Sequence, residues 1–222
     1  MVKKYIKYIL NFLFPTKCVF CREICNEGEI CPECEARVQR LRIPDTARQI
    51  NHKTFKKLDG CISFYYYEDI VRDGMIMAKS RGCDSFAKAF LQYISFDLQK
   101  YFRDNGIDVI ISMPAHKSKF YNQEFDLPQH MALAIAKNTG VEYNNDLVTK
   151  VKRTKNQHKL KLEQRKSNLK DAFSVTGDAT GKNIVIIDDI VTSGNSLEEV
   201  ARTLKKGGAA KVMAVTFAYN RF

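Results

Sequence analysis

The residues of this chain best placed to do chemistry lie in the run Ile184-Val-Ile-Ile-Asp-Asp-Ile-Val-Thr-Ser-Gly-Asn-Ser196. Ile184 to Ile187 are apolar at every position, the pattern of a central strand buried on both faces. Asp188 and Asp189 follow at its carboxyl end. Two adjacent carboxylates there are costly unless a cation or hydrogen-bond donors meet them. The vicinal hydroxyls of a ribose, together with Mg²⁺, would do both. Thr192, Ser193, Gly194, Asn195 and Ser196 then form a small, hydroxyl-rich loop leading into a helix. Backbone N–H groups of such a loop, aided by the helix N-terminus, make an anion site suited to a 5′-phosphate. An acidic turn or a capping serine is common without function. Strand, acidic pair and loop in this order and spacing favour a ribose-phosphate site.

A second constellation is Cys18-x-x-Cys21 with Cys31-x-x-Cys34. Two pairs at this spacing place two thiolates each on tight turns, aimed at one tetrahedral centre. Four thiolates suit Zn²⁺ and close its shell, so the site is structural and not catalytic. Five of the seven cysteines fall between Cys18 and Cys34, in a stretch too poor in aliphatic residues to fold without a staple. Cys25 is a spare thiol beside the set. Cys61 and Cys83 fall in regular structure and read as buried, inert side chains.

These residues need a scaffold. The strand formers Cys61–Tyr67, the helical pattern near Ile70–Ala78 and a long helix capped by Asp84 open it. Phe86, Phe90, Tyr93, Ile94 and Tyr101 lie on the apolar side of that helix, and Asn105-Gly106 ends it. Asp108–Ser112 is a short buried strand, and a helix near Pro128–Asn138 stops at Thr139-Gly140. Phe173–Val175 and Asn183–Ile187 are strands, Ser196–Lys206 a helix closed by Gly207-Gly208, and Lys211–Phe217 the last strand. Strands alternating with helices predict a parallel α/β sheet whose ligands sit beyond the carboxyl ends of the strands. The boundaries read as an amphipathic helix over 1–15, a zinc-ribbon-like module over 16–40, a connector over 41–60 and the α/β domain over 61–222.

The chain has 222 residues and a formal net charge of +11, which predicts attraction to phosphates on small ligands, nucleic acid or a membrane surface. Lys7 and Asn11 interrupt the apolar N-terminal run. It is too short to span a membrane and has no cleavage site after it, so the expectation is a protein that is not transmembrane. Seven cysteines without an export signal predict a reducing compartment.

The 184–196 segment resembles the signature of type I phosphoribosyltransferases, and the wider motif order resembles one branch of them, the ComF family. That family places two Cys-x-x-Cys pairs before a transferase-like domain. An Asn-Gln element follows a strand ending in Pro, here Met113-Pro114 and then Asn122-Gln123. Gln, Leu, Arg and Asn-x-x-x-Ala-Phe elements come next, here Gln157, Leu160, Arg165, and Asn168 with Ala172-Phe173. The chain departs from the family at Lys119-Phe120-Tyr121, where Arg-Gly-Phe is usual, which places turnover second to ligand binding.

The resemblance implies a phosphoribosyltransferase-like parallel sheet with flanking helices behind a four-cysteine zinc module. It implies binding of phosphoribosyl pyrophosphate with Mg²⁺. Asp188 and Asp189 would position the ribose at the reacting centre, and Thr192 to Ser196 would hold the phosphate. Pyrophosphate contacts would come from the loop of Ala115, His116 and Lys117. Lys150–Lys170 contains nine Lys or Arg and a single acid, Glu163; it is a candidate lid, with Lys152, Arg153 and Arg165 as favoured phosphate partners. His116 and His158 are candidate acids or bases. The family's association with natural transformation implies an accessory factor handling incoming single-stranded DNA. It implies a cytoplasmic location at the inner membrane face, beside competence-machinery proteins. The alternative is a working phosphoribosyltransferase in nucleotide or amine metabolism.

Overall fold

Seven strands and five α-helices organise the computed structural model, which describes residues 15–25, 28–82, 84–115, 125–152 and 169–221. The strands are β1 (Gly60–Tyr66), β2 (Val109–Ser112), β3 (Glu142–Tyr143), β4 (Val148–Lys150), β5 (Phe173–Val175), β6 (Asn183–Val191) and β7 (Lys211–Tyr219). The helices are α1 (Pro32–Arg40), α2 (Asp69–Arg81), α3 (Asp84–Asn105), α4 (Leu127–Thr139) and α5 (Asn195–Lys206), with a short 3₁₀ turn at Asp45–Ala47. The expected helix over 1–15 lies almost wholly outside the described residues, and Cys83 and most of the basic stretch lie outside them too.

Five strands form one sheet in the order β1-β7-β6-β2-β3, every neighbouring pair parallel. Ile184, Val185, Ile186 and Ile187 of β6 are fully buried, as a run apolar on both faces demands. One face packs against Phe86, Phe90, Ile94 and Leu98 of α3, with Phe217 and Tyr65 from the sheet. The other packs against Leu197, Val200, Ala201 and Leu204 of α5. Phe90 and Phe217 stack edge to face with ring centres 3.8 Å apart. Burying a side chain of this kind contributes about 1.5–3 kcal/mol.

Two expectations need correcting. Phe173–Val175 is a strand, but it pairs antiparallel with β4 in a separate two-stranded sheet. And β6 does not end at Ile187: it continues through both aspartates to Val191, opposite Tyr219 of β7. The ladder persists because β7 is equally long and supplies backbone partners beside the acidic pair.

Residues 41–58 do more than connect. Ile43 N–H donates to Phe64 O, Ile50 N–H to Cys61 O and Tyr66 N–H to Leu41 O. The segment therefore covers the outer edge of β1, which would otherwise present unpaired backbone groups. Arg48, 8% exposed, anchors it by pairing with Asp45 and with Asp97 of α3.

Candidate functional site

The sheet order has a switch point. From β2 the chain proceeds through α4 to β3 on one side, and from β6 through α5 to β7 on the other. Crevices at such points, beyond the carboxyl ends of the strands, are where open α/β sheets bind ligands. β2 pairs with β6 only as far as Ser112–Ile187, with Met113 N–H adding a last bond to Ile187 O. Asp188 and Asp189 come next, where β6 loses its β2 neighbour.

The acidic pair is tightly held. Asp189 N–H donates to Asp188 Oδ1, and Ile190 N–H to Asp189 Oδ1, both at 2.9 Å. Burial, and then the Asp189 charge, push the Asp188 carboxyl well above the usual carboxylate range. Asp189 forms an ion pair with Lys79 of α2. Burial pushes the Lys79 ammonium down, but the neighbouring Asp189 charge outweighs that and raises it.

Thr192 to Ser196 line one small cavity together with Asp188 and Ile190. Gly194 is the N-cap of α5, in the left-handed region at φ +67° and with no side-chain cap. The first N–H groups of a helix have no acceptor within it, so the end of α5 faces this cavity as a partial positive charge. Asn195 Nδ2 donates to Ser193 Oγ at 3.1 Å and steadies the turn. The far side of the loop is closed by Phe55, whose ring would stand 2.4 Å from a Cβ at Gly194. Glu198, in the first turn of α5, accepts backbone N–H bonds from Lys56, Lys57 and Leu58 at 2.9–3.2 Å. A larger hollow, about 590 Å³, lies between α3 and α4 near Leu91, His130 and Leu133, away from the acidic pair.

Ala115 ends the described part of the loop after β2. Lys117, Arg153 and Arg165, with His116 and His158, lie outside the described residues. Lys152 is described, and its ammonium caps the Lys170 carbonyl at 3.0 Å. Three residues around the site were not singled out from sequence: Lys79, Phe55 and Glu198. Nothing in its spacing separates Lys79 from the other Lys and Arg, 36 in all.

In the N-terminal segment, the sulfur atoms of Cys18, Cys21, Cys31 and Cys34 all lie within 4.8 Å of one another. Thiolates about 2.3 Å from one tetrahedral ion stand about 3.8 Å apart, so this donor set fits Zn²⁺. Cys18 and Cys21 flank a tight turn, with Arg22 N–H donating to Cys18 O. The second pair differs from expectation: Cys31 is the N-cap of α1 and Cys34 lies in its first turn. Burial pushes the Cys18 thiol up, but the N–H groups of Cys31, Cys21 and Phe20 outweigh it and bring it to about 6. Cys25 is not one of the four but lies beside them: burial, and then the neighbouring Cys18 and Cys31, raise its thiol to about 11. Cys61 is fully buried.

Comparison with known proteins agrees with this architecture. Residues 126–221 match the family model described as a phosphoribosyl transferase domain. The DNA utilization protein YhgH of Salmonella typhi is 33% identical over 105 residues, which cover 47% of this chain and 46% of that protein. The match therefore spans about half of each. The competence protein ComFC of Bacillus subtilis is 27% identical over 210 residues, covering 90% of this chain and 76% of the relative. Among solved structures, a purine phosphoribosyltransferase from Pyrococcus horikoshii aligns with a TM-score of 0.38 and 22% identity, over 58% of this chain and 73% of that one. The fold is a parallel-sheet α/β fold of the phosphoribosyltransferase type. Among the described residues, no helix is long and apolar enough to cross a membrane. The chain is a homologue of the competence protein ComFC and the DNA utilization protein YhgH, with a phosphoribosyl transferase domain and an N-terminal four-cysteine cluster.

Proposed function

We propose that the chain binds phosphoribosyl pyrophosphate with Mg²⁺ at the β6–α5 junction and serves as an accessory factor that handles single-stranded DNA in natural competence. The observation that carries the ligand reading is that Asp188 and the 192–196 loop line one cavity at the switch point of the sheet, with Asp189 next in the strand. The N-terminus of α5 and the Gly194 turn receive the 5′-phosphate. Asp188 and Asp189 accept from the ribose hydroxyls and hold the ligand-borne metal. Asp189 Oδ2 is buried without a neutral hydrogen-bond donor and faces the Lys79 cation, which suits that role. Mg²⁺, when bound, neutralises charge on the diphosphate. Lys117, Arg153 and Arg165 remain proposed contacts to the diphosphate end. In the same reading the four cysteines hold a structural Zn²⁺, and the domain boundaries follow the sequence as drawn above.

The DNA role is supported by the names of the relatives and by the net charge of +11. Calorimetric titration of the zinc-loaded protein with phosphoribosyl pyrophosphate and Mg²⁺, beside an Asp188→Ala/Asp189→Ala variant, tests the ligand site. Binding by the parent and its loss in the variant is the expected result. Equal affinity in both would remove the aspartates from the site. For DNA, anisotropy of a labelled oligothymidylate is measured at rising salt. Each neutralised phosphate contributes roughly −0.7 to the slope of log affinity on log salt. A flat response sinks the DNA role.

A further inference from the structure

The acidic pair already has a cation beside it. Lys79 sits in the last turn of α2, and its ammonium meets Asp189. The lysine side chain is 44% exposed and that of Asp189 12%, so Lys79 reaches the carboxylate from the solvent side. Its helix is firmly seated. Ala78 and Met75 are buried, and Gly82 closes α2 in the left-handed region with its N–H on Ala78 O. Phe125, just before α4, packs 3.6 Å from where a Gly82 Cβ would stand. The turn carrying Lys79 is thereby held near the segment that resumes after the β2 loop.

Several other described cations are committed to ion pairs elsewhere. Lys205 pairs with Asp59, Arg202 with Glu199 and Asp171, and Arg221 with Glu68. Lys79 instead meets Asp189 of the acidic pair. A diphosphate ligand brings more negative charge to a pair that already repels anions. An ammonium on a flexible four-carbon stem can serve both partners by rotating about its own bonds.

Resting on the ribose-phosphate reading above, we propose that Lys79 is a built-in cation of that site. It neutralises Asp189 in the free chain and turns to the diphosphate oxygens of the incoming ligand, so that binding does not depend wholly on Mg²⁺.

The test titrates phosphoribosyl pyrophosphate into the full chain in Mg²⁺ and again in EDTA, by calorimetry. The parent, Lys79→Met and Lys79→Arg are compared, with thermal melting as the folding control. The parent is expected to lose less than about tenfold in affinity in EDTA. Lys79→Met should bind in Mg²⁺ but lose about a hundredfold or more in EDTA, while Lys79→Arg should behave as the parent. A parent that loses all binding in EDTA overturns the proposal whatever the variants do. So does a folded Lys79→Met with the parent's Mg²⁺ dependence. If Lys79→Met does not fold, Lys79→Gln takes its place under the same criteria. A parent that fails to bind even in Mg²⁺ instead sinks the ribose-phosphate reading itself.

Discussion

At Gly194 two demands meet on one residue. Its φ of +67° costs a residue with a side chain about 1–2 kcal/mol, and a Cβ there would overlap the Phe55 ring. Gly194→Ala should therefore lose about 2–3 kcal/mol in urea unfolding. Adding Phe55→Ala relieves the overlap but not the backbone strain, so the two costs should fall short of additive by about 1 kcal/mol. Strict additivity would mean that Phe55 does not press on the loop. At this scale the aspartates and the 192–196 loop were legible because they are contiguous in sequence. Lys79 and Phe55 were not, since each reaches the motif from a distant part of the chain.

Among elements, the 41–58 segment shows what composition alone does not convey. Its basic, polar residues read as a connector, yet its backbone caps the edge of β1 and its end docks on α5. Glu198 holds that docking by accepting three backbone N–H groups. Glu198→Ala should cost about 1–3 kcal/mol, the range for leaving such donors without their acceptor. Amide hydrogen exchange should speed up at Lys56, Lys57 and Leu58 while β6 stays protected. Unchanged exchange there would show that Phe55 alone seats the segment. The length of β6 was underestimated for a related reason. Adjacent aspartates disfavour a strand by propensity, and only the long partner β7 keeps them in the ladder.

For the molecule as a whole, the cysteine cluster and the α/β sheet share a core. Phe20, between Cys18 and Cys21, packs against Phe86 and Phe90 with ring centres about 6 Å apart. It also fills the space above Gly74, where a Cβ would come within 2.3 Å of its ring. Phe20→Ala should cost about 3–5 kcal/mol in thermal or chemical unfolding. Removing metal with a chelator should lower the melting of the entire chain in one transition, because the cluster seats Phe20. Two separate transitions in calorimetry would show that cluster and sheet fold independently.

What the sequence by itself determined is what local pattern encodes. It specified the apolar run of β6, the acidic pair and glycine-hydroxyl loop, the cysteine spacing, and the alternation that calls for a parallel sheet. Each depends on neighbours within a few residues, where backbone geometry ties side-chain direction to position. Only the tertiary structure decided that Lys79 faces Asp189, that Phe55 and Glu198 bind the connector to the 192–196 loop and the helix after it, and that Phe20 joins the cysteine cluster to the sheet. Those contacts are set by strand order and helix placement. Because they minimise exposed apolar surface and unpaired charge over the whole chain, no short window of sequence contains them.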